Sequence, residues 1–400
     1  MGVTTVSFDW TTLRSLATMT DRIGVLSLYA TVDPHDESSQ PAWRARVRTE
    51  LKRLRENARQ RGPREYYAAV SSRLDALTND VEALLDSRTT GLGRALFAAI
   101  SNGQVERLTL QVPLTDHVTL APTAQLRPLV SAWSAAGPTG AVAVSADEAR
   151  IIDLRLGMAT EVATIAHPDD LADRRELTGR GHATVTTTYH SSASHHDLFE
   201  QRAEDRLLRY LHTLGGEISD HAKNHRWECI VITGEAKYVN AVAGGLPSSL
   251  GATAVTLPHT VAGHAAHKLA AAVQPAVAAS RARRHLRLAE RACDAALSTT
   301  SEAGSCGLAP TLAALQEGRV AHLLLAPDRS WTGMRAPDGT LTSETDVPPG
   351  VDPDTLVPES RLDERMIELA IRDGADVSIL EPQAAAPLTD HDGIGALLRW

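Results

Sequence analysis

A polar segment in the middle of the chain concentrates side chains that could bind a metal ion or a phosphate. It runs from Asp169 to His196 and is too long for an ordinary connection. Its four histidines are His182, His190, His195 and His196. Their spacing matches no standard structural zinc pattern, and the segment has no cysteine. Three interpretations stay open: a metal site, a solvated loop with incidental histidines, and a loop that donates hydrogen bonds to nucleic-acid phosphates.

Other motifs for covalent or nucleotide chemistry are weak or missing from the sequence. It has no G-x-S-x-G elbow and no convincing set of Ser, His and Asp. The turn at Gly234–Lys237 lacks the pattern GxxxxGK(S/T), so it predicts a simple strand-to-helix connection. Cys229, Cys293 and Cys306 are far apart and odd in number, which implies neither a disulfide framework nor a metal pair. We therefore predict no catalytic residue and no cofactor.

A basic amphipathic helix is the clearest candidate for contacting nucleic acid. Its apolar residues share one helix face and are Trp43, Val47, Leu51, Leu54 and Ala58. Residues 44–61 hold eight basic and two acidic side chains, spread over about 25 Å of helix. That length could follow several phosphates, although a solvated helix face is the alternative. The candidate contact residues are Arg44, Arg48, Lys52, Arg55 and Arg59.

A second basic run lies between Arg281 and Arg291, where Glu290 and Asp294 offset part of its charge. It is a second candidate surface for RNA, but an interdomain helix is the interpretation that its acidic neighbours favour.

Composition narrows the class of protein. Hydrophobic residues make up 43% and charged residues 22%, which is typical of a globular chain, and 400 residues predict two to four domains. The formal net charge of −9 argues against nonspecific coating of nucleic acid. Because the sequence shows no signal-peptide core and no apolar run of about 18 residues, we expect a cytoplasmic protein with no membrane partner.

Strand and helix patterns alternate along the chain, so the predicted fold class is α/β. We expect three domains, at residues 1–139, 140–298 and 299–400. The first combines strands with a helical hairpin. The second has a β-hairpin, a mostly parallel sheet and a long helix that Pro275 should kink or end. The third should end in a helix over Gly393–Trp400, and its segment Asp328–Ser360 is predicted to be an exposed insertion.

Five segments together resemble one protein family. Leu312–Leu325 resembles the A-L-x-x-G-x-V-x-x-L-L opening of the C-terminal domain in release factors and Pelota, and Asp392–Trp400 resembles the end of that domain. Ala375–Leu380 fits the strand before this end. Gly93–Ala98 looks like the G-x-A-L-F strand of the bacterial members, and Ala146–Ile151 looks like the opening of their middle domain. The chain is thus similar to the bacterial branch of the archaeo-eukaryotic peptide chain release factor and Pelota superfamily, of the actinobacterial type.

This resemblance implies an architecture and a set of partners. The expected domains are a mixed α/β N-domain that faces the decoding centre, a ribonuclease H-like middle domain, and an α/β/α C-terminal domain resembling the kink-turn-binding ribosomal-protein fold. The ribosome is the implied partner, through rRNA and tRNA, and a translational GTPase is a further one.

The family's catalytic loop carries Gly-Gly-Gln, and this sequence departs from it. The comparable loop has Gly179, Arg180, Gly181 and His182, with no Gly-Gln after them. The resemblance therefore implies a factor that binds the A site in ribosome rescue or hibernation without hydrolysing peptidyl-tRNA. In that case the loop, with His195 and His196, would contact rRNA or tRNA. The alternatives are a peptidyl-tRNA hydrolase with a degenerate loop and a stress-related protein adaptor.

Overall fold

The computed structural model describes residues 8–33, 41–167, 192–258, 263–298, 303–344 and 352–400. The chain forms two compact units, one of Met1–Ala136 with Ala282–Trp400 and the other of Gly137–Arg281. Both units combine helices and sheets, which confirms the α/β class. Within the described ranges, no helix is long and apolar enough to cross a membrane. The predicted three-domain boundaries at residues 139 and 298 stay a prediction.

In residues 8–33 and 41–136, the N-terminal part of the first unit is a four-stranded antiparallel sheet with five helices. Its elements are α1 (Trp10–Ala17), β1 (Thr20–Thr31), α2 (Ala42–Arg61), α3 (Arg64–Ala76), α4 (Thr78–Leu84), β2 (Gly93–Ala99), β3 (Val105–Leu110), β4 (His117–Thr123) and α5 (Arg127–Ala136). The strand order is β3-β2-β1-β4. Helices α2, α3 and α4 share one core with alternate residues of β1 and β2, such as Leu26, Leu28 and Leu96.

The predicted basic helix is confirmed as α2. Trp43, Val47 and Ala58 are buried, and Leu51 and Leu54 pack against the same core. The helix ends where Gly62-Pro63 interrupts it, as Pro cannot continue the hydrogen-bond ladder. Its apolar stripe therefore determines which face the basic residues present.

The second unit contains a five-stranded sheet between two helical layers. Its elements are β5 (Thr139–Val144), β6 (Glu148–Arg155), β7 (Met158–Ala166), α6 (Ser192–His225), β8 (Cys229–Gly234), α7 (Ala236–Gly245), β9 (Thr253–Leu257) and the first half of α8 (Ala266–Leu297). The order is β7-β6-β5-β8-β9, with β5, β8 and β9 parallel and the other two pairings antiparallel. The expected mostly parallel sheet is thus a mixed one. Helices α6 and α7 cover one face, and α8 covers the other.

Pro275 does not end a helix. Helix α8 continues through it from Ala266 to Leu297, so of the two predicted effects, a kink or an end, the second does not occur. Buried Leu269, Val273 and Val277 hold this stretch against the sheet, and such tertiary packing can outweigh the backbone hydrogen bond that proline lacks.

Among its described residues, the C-terminal part of the first unit contains two sheets, two α-helices of its own and the second half of α8. Its elements are β10 (Gly304–Cys306), α9 (Leu308–Gln316), β11 (Val320–Leu325), β12 (Gly333–Arg335), β13 (Leu341–Thr342), β14 (Val357–Glu359), α10 (Leu362–Arg372), β15 (Asp376–Ile379) and β16 (Ile394–Leu398). The main sheet has the order β10-β16-β11-β15, and β13-β12-β14 form a small antiparallel sheet.

Two predictions fail in this part. The expected closing helix at Gly393–Trp400 is strand β16, which pairs with both β10 and β11 at the inside of the sheet. A short, wholly apolar run has no periodicity to separate a helix from a buried strand. The segment Asp328–Ser360 is not simply exposed either, since Trp331 and Leu341 are buried within it.

Candidate nucleic-acid interface

Three of the five candidate side chains on α2 also hold α2 to its neighbours. Arg48 forms an ion pair with Glu82 at 2.7 Å, and Arg55 forms one with Asp75 at 2.5 Å. Arg44 donates from Nη2 to the carbonyl oxygen of Leu85 at 3.0 Å. Their positive charge is thus partly neutralised by α3, α4 and the backbone that follows α4.

The other two candidates are more available. Lys52 is exposed and makes no ion pair or hydrogen bond with any residue that the structure describes. Arg59 is 70% exposed and lies 4.0 Å from Glu56, at the limit of an ion pair. Because exposed ion pairs contribute only about 0–1 kcal/mol, even the paired arginines could exchange a carboxylate for a phosphate at little cost. The helix thus presents a basic face of which Lys52 and Arg59 are the least engaged members.

A groove of about 310 Å³ runs beside this basic face, between α2 and the α3–α4 pair. Arg48, Lys52 and Arg55 line one wall, and Glu82 lies on the other. Apolar side chains also line the groove, so cationic and apolar groups lie next to each other in it. Such a surface can contact both a phosphate and the sugar or base attached to it.

A second set of arginines lies on α8. Arg283, Arg287 and Arg291 are exposed and spaced four residues apart, so they follow one helix face. None of them forms an ion pair with another residue within the described ranges. Their charges lack the neutralising partners found on α2. This favours a surface that contacts RNA over the interdomain-helix interpretation.

Six predicted contact residues lie outside the description, either wholly or for their side chains. Gly179, Arg180, Gly181 and His182 lie outside the described residues. His195 and His196 belong to the first turns of α6, but their side chains are outside the description. No group of three metal-ligating side chains occurs in the part of the chain that the structure does describe. The roles of these six residues stay predictions.

Two other glycine sequences that superficially resemble a catalytic tripeptide have structural roles. Gly215 lies inside α6, where an added Cβ would come within 2.0 Å of the Gly245 carbonyl oxygen at the end of α7. Close helix packing therefore requires glycine at this position. Asn102-Gly103-Gln104 forms the turn between β2 and β3, with Gly103 at φ +82°. Neither sequence replaces the missing Gly-Gly-Gln.

A buried ionic cluster joins the two ends of the chain within the first unit, and sequence reasoning missed it. Arg127 Nη1 donates to Asp363 Oδ2 at 2.8 Å, and the Leu126 backbone nitrogen donates to Glu364 Oε2 at 2.7 Å. Both acidic residues are at most 2% exposed. Burial raises the pKa of Glu364 to about 7, against the lowering effect of the Leu126 hydrogen bond. No sequence pattern links residues that are 236 positions apart.

A family model matches part of the chain, residues 152–296. The model is that of bacterial archaeo-eukaryotic release factor family 2. This part of the chain is thus similar to the bacterial branch of the superfamily. The matched region runs from β6 to the end of α8, so it includes the candidate residues Gly179, Arg180, Gly181 and His182 and the arginines of α8. The resemblance inferred from the sequence is thereby confirmed.

Several solved structures are similar to the chain at low identity. Archaeal translation termination factor aRF1 has 16% identity, with 98% of this chain and 99% of that chain covered and a TM-score of 0.24. Archaeoglobus fulgidus Pelota has 13% identity, 77% and 79% coverage and a TM-score of 0.32. A model of ribosome-bound archaeal Pelota and ABCE1 has 12% identity, 98% and 94% coverage and a TM-score of 0.40. No curated protein matches the chain. Because these superpositions are poor, the function has to be inferred from this chain's own residues.

Proposed function

We propose that this protein is a cytoplasmic ribosome-binding translation factor of the release factor and Pelota type. It binds the ribosomal A site during rescue or hibernation and does not hydrolyse peptidyl-tRNA. The observation that carries the proposal is the exposed basic face of α2, in a chain that resembles this family and whose overall charge is −9. A local cationic surface on an acidic protein favours specific docking on RNA over general attraction to it.

The proposed chemistry is limited to binding. The sequence has no Gly-Gly-Gln, and in the two sequences that superficially resemble it Gly215 serves helix packing and Gly103 serves a turn. Arginine and lysine side chains along α2 would neutralise rRNA phosphates and release their counterions, which makes affinity depend on salt. The α8 arginines would supply a second contact of the same kind. A translational GTPase as delivery partner is part of this proposal.

Co-sedimentation with 70S ribosomes over a salt series, with and without A-site tRNA, tests the proposal. We expect binding that weakens as salt rises and that A-site tRNA blocks. No binding at any salt concentration would overturn it and favour the adaptor alternative. Release of peptide from ribosome-bound peptidyl-tRNA by the purified protein would instead support the hydrolase.

Lys52 provides the sharpest single-residue test of the α2 surface. Lys52→Glu should weaken ribosome binding and reduce the slope of log affinity against log salt by about 1, because one phosphate contact is lost. No described residue depends on Lys52 for an ion pair, so folding should not change. Lys268→Glu, on the exposed part of α8 in the second unit, changes the net charge equally and is the matched control. Equal loss of binding in both variants would contradict a specific role for α2.

A further inference from the structure

Two of the three cysteines come together in the C-terminal part of the first unit. Cys293 lies near the end of α8, and Cys306 is the last residue of β10. Their sulfur atoms are 2.7 Å apart. Cys293 is buried and Cys306 is half-buried, whereas Cys229 is buried in β8 of the other unit. Spacing along the sequence indicated no such pair.

Close packing of α8 on β10 holds these two side chains in place. At Gly304, an added Cβ would come within 2.5 Å of the Ala292 carbonyl oxygen and within 2.6 Å of the Ala295 side chain. The strand therefore lies directly against the helix at this point. Strand β10 is in turn paired with β16, which includes Gly395 opposite Cys306. The sulfur–sulfur approach is thus supported by packing on both sides.

We propose that Cys293 and Cys306 form a reversible intramolecular disulfide when the protein meets a peroxide or a low-molecular-weight disulfide. A disulfide bond is about 2.05 Å long, so the sulfurs need to approach by only about 0.6 Å. The bond would fasten the end of α8 to the edge strand of the main C-terminal sheet. This inference does not depend on ribosome binding.

Either oxidant can convert the two thiols into the disulfide. Peroxide oxidises the more exposed Cys306 thiol to a sulfenic acid and leaves as water, and the Cys293 thiol then displaces a second water to form the S–S bond. With a small disulfide, Cys306 displaces one thiol to give a mixed disulfide, and Cys293 displaces the other. Either route removes two hydrogen atoms from the protein. Reduction by a dithiol restores both thiols.

The environment of the pair determines how fast it reacts. Burial and the neighbouring Cys293 sulfur raise the pKa of the Cys306 thiol. Since the thiolate is the nucleophile, oxidation should be slow at neutral pH and faster as the pH rises. The site thus suits sustained oxidation rather than rapid peroxide sensing. A metal centre fits less well, because no third ligating side chain joins the two cysteines among the described residues.

The test uses the full chain, fully reduced and then incubated with oxidised glutathione or hydrogen peroxide at pH 7 and pH 9. Intact mass under non-reducing conditions should fall by the mass of two hydrogen atoms, faster at pH 9, and peptide mapping should link Cys293 to Cys306. The melting temperature should rise by roughly 5 °C, because the bond closes a short loop. Dithiothreitol should reverse both changes.

Three single variants sharpen this test. Cys229→Ser should oxidise like the wild type, while Cys293→Ser and Cys306→Ser should not lose two hydrogens. The same oxidation in urea shows that all three thiols can react once they are exposed. An unchanged native mass at both pH values, a stable glutathione adduct on Cys306 alone, or a bond to Cys229 would each overturn the proposal.

Discussion

At the scale of single residues, buried charges stabilise the backbone of the first unit. Arg94 is 1% exposed, and its guanidinium donates to the carbonyl oxygens of Leu84, Asp86 and Thr89 at 2.5 to 2.6 Å. The Leu84 carbonyl lies at the end of α4, and the other two lie in the connection between α4 and β2. Arginine suits this position because its planar fork can satisfy several acceptors at once.

Replacing Arg94 should therefore be costly. Arg94→Met keeps most of the side-chain volume but leaves three carbonyl oxygens without their donors, so we expect a loss of about 3 kcal/mol in the free energy of unfolding. Urea unfolding measures this loss. The exposed Arg88→Met is the matched control and should change stability by less than about 0.5 kcal/mol. Similar stability of the two variants would contradict the structural role of Arg94.

Glu364 should make stability depend on pH. Its pKa is raised to about 7 when folded, against 4.5 for the unfolded side chain, so the folded state holds its proton more tightly. The resulting stability is present below pH 4.5 and is lost as pH rises through 7. Wild type should therefore lose about 2 kcal/mol between pH 5 and pH 8 relative to Glu364→Gln. Urea unfolding at the two pH values checks this, and parallel pH profiles would contradict it.

At the scale of elements, α2 combines structural and proposed binding roles. Its apolar stripe fixes its orientation on the sheet, and its arginines then reach both acidic neighbours and solvent. The acids of α3 and α4 are thus expected to compete with phosphates for the same guanidinium groups. This competition can be tested by removing the acids.

The double variant Asp75→Asn with Glu82→Gln should bind ribosomes more tightly than wild type. It frees Arg55 and Arg48 for phosphates, and the salt slope should steepen by about 0.9 for each new contact. Because both ion pairs are exposed, stability should change by at most about 1 kcal/mol for each pair. Asp220→Asn, which breaks the exposed pair with Lys223 on α6, is the control. Unchanged or weaker binding in the double variant would argue that α2 does not face phosphates.

At the scale of the whole molecule, the first unit is built from both ends of the chain. The Ser134 hydroxyl accepts a hydrogen bond from the Ile379 backbone nitrogen, and Arg365 donates to Thr123. Together with the cluster around Glu364, these contacts bury polar groups that need partners from the other end. The second unit has its own sheet and its own cores.

Fragments of the chain should fold or fail to fold according to whether they contain a whole unit. Residues 137–281 expressed alone should unfold cooperatively, because they contain the sheet and the helical residues that pack on both of its faces. Residues 1–136 should lack a cooperative transition alone and regain it when mixed with residues 282–400, since Glu364 and Asp363 then meet Leu126 and Arg127 again. Thermal unfolding followed by circular dichroism distinguishes these cases. A cooperative melt of residues 1–136 alone would contradict the shared first unit.

The sequence by itself determined the elements whose side chains repeat with a clear period and the family that the chain resembles. The stripe from Trp43 to Ala58 predicted α2, and the apolar run at Cys229 predicted a buried parallel strand, because burial on one face or on both faces leaves a local pattern. The motifs at Gly93–Ala98 and Leu312–Leu325 indicated the superfamily from the sequence alone.

Only the tertiary structure decided what depends on partners far apart in the chain. Strand β16 was predicted as a helix because its apolar run has no periodicity that separates a helix from a strand. Its pairing with β10 and β11 makes it a strand. Glu364 is an unremarkable acid in sequence until Leu126 and Arg127 surround it. Cys293 and Cys306 likewise become a pair only when α8 packs on β10. Such contacts arise from the packing of whole elements, which no local spacing encodes.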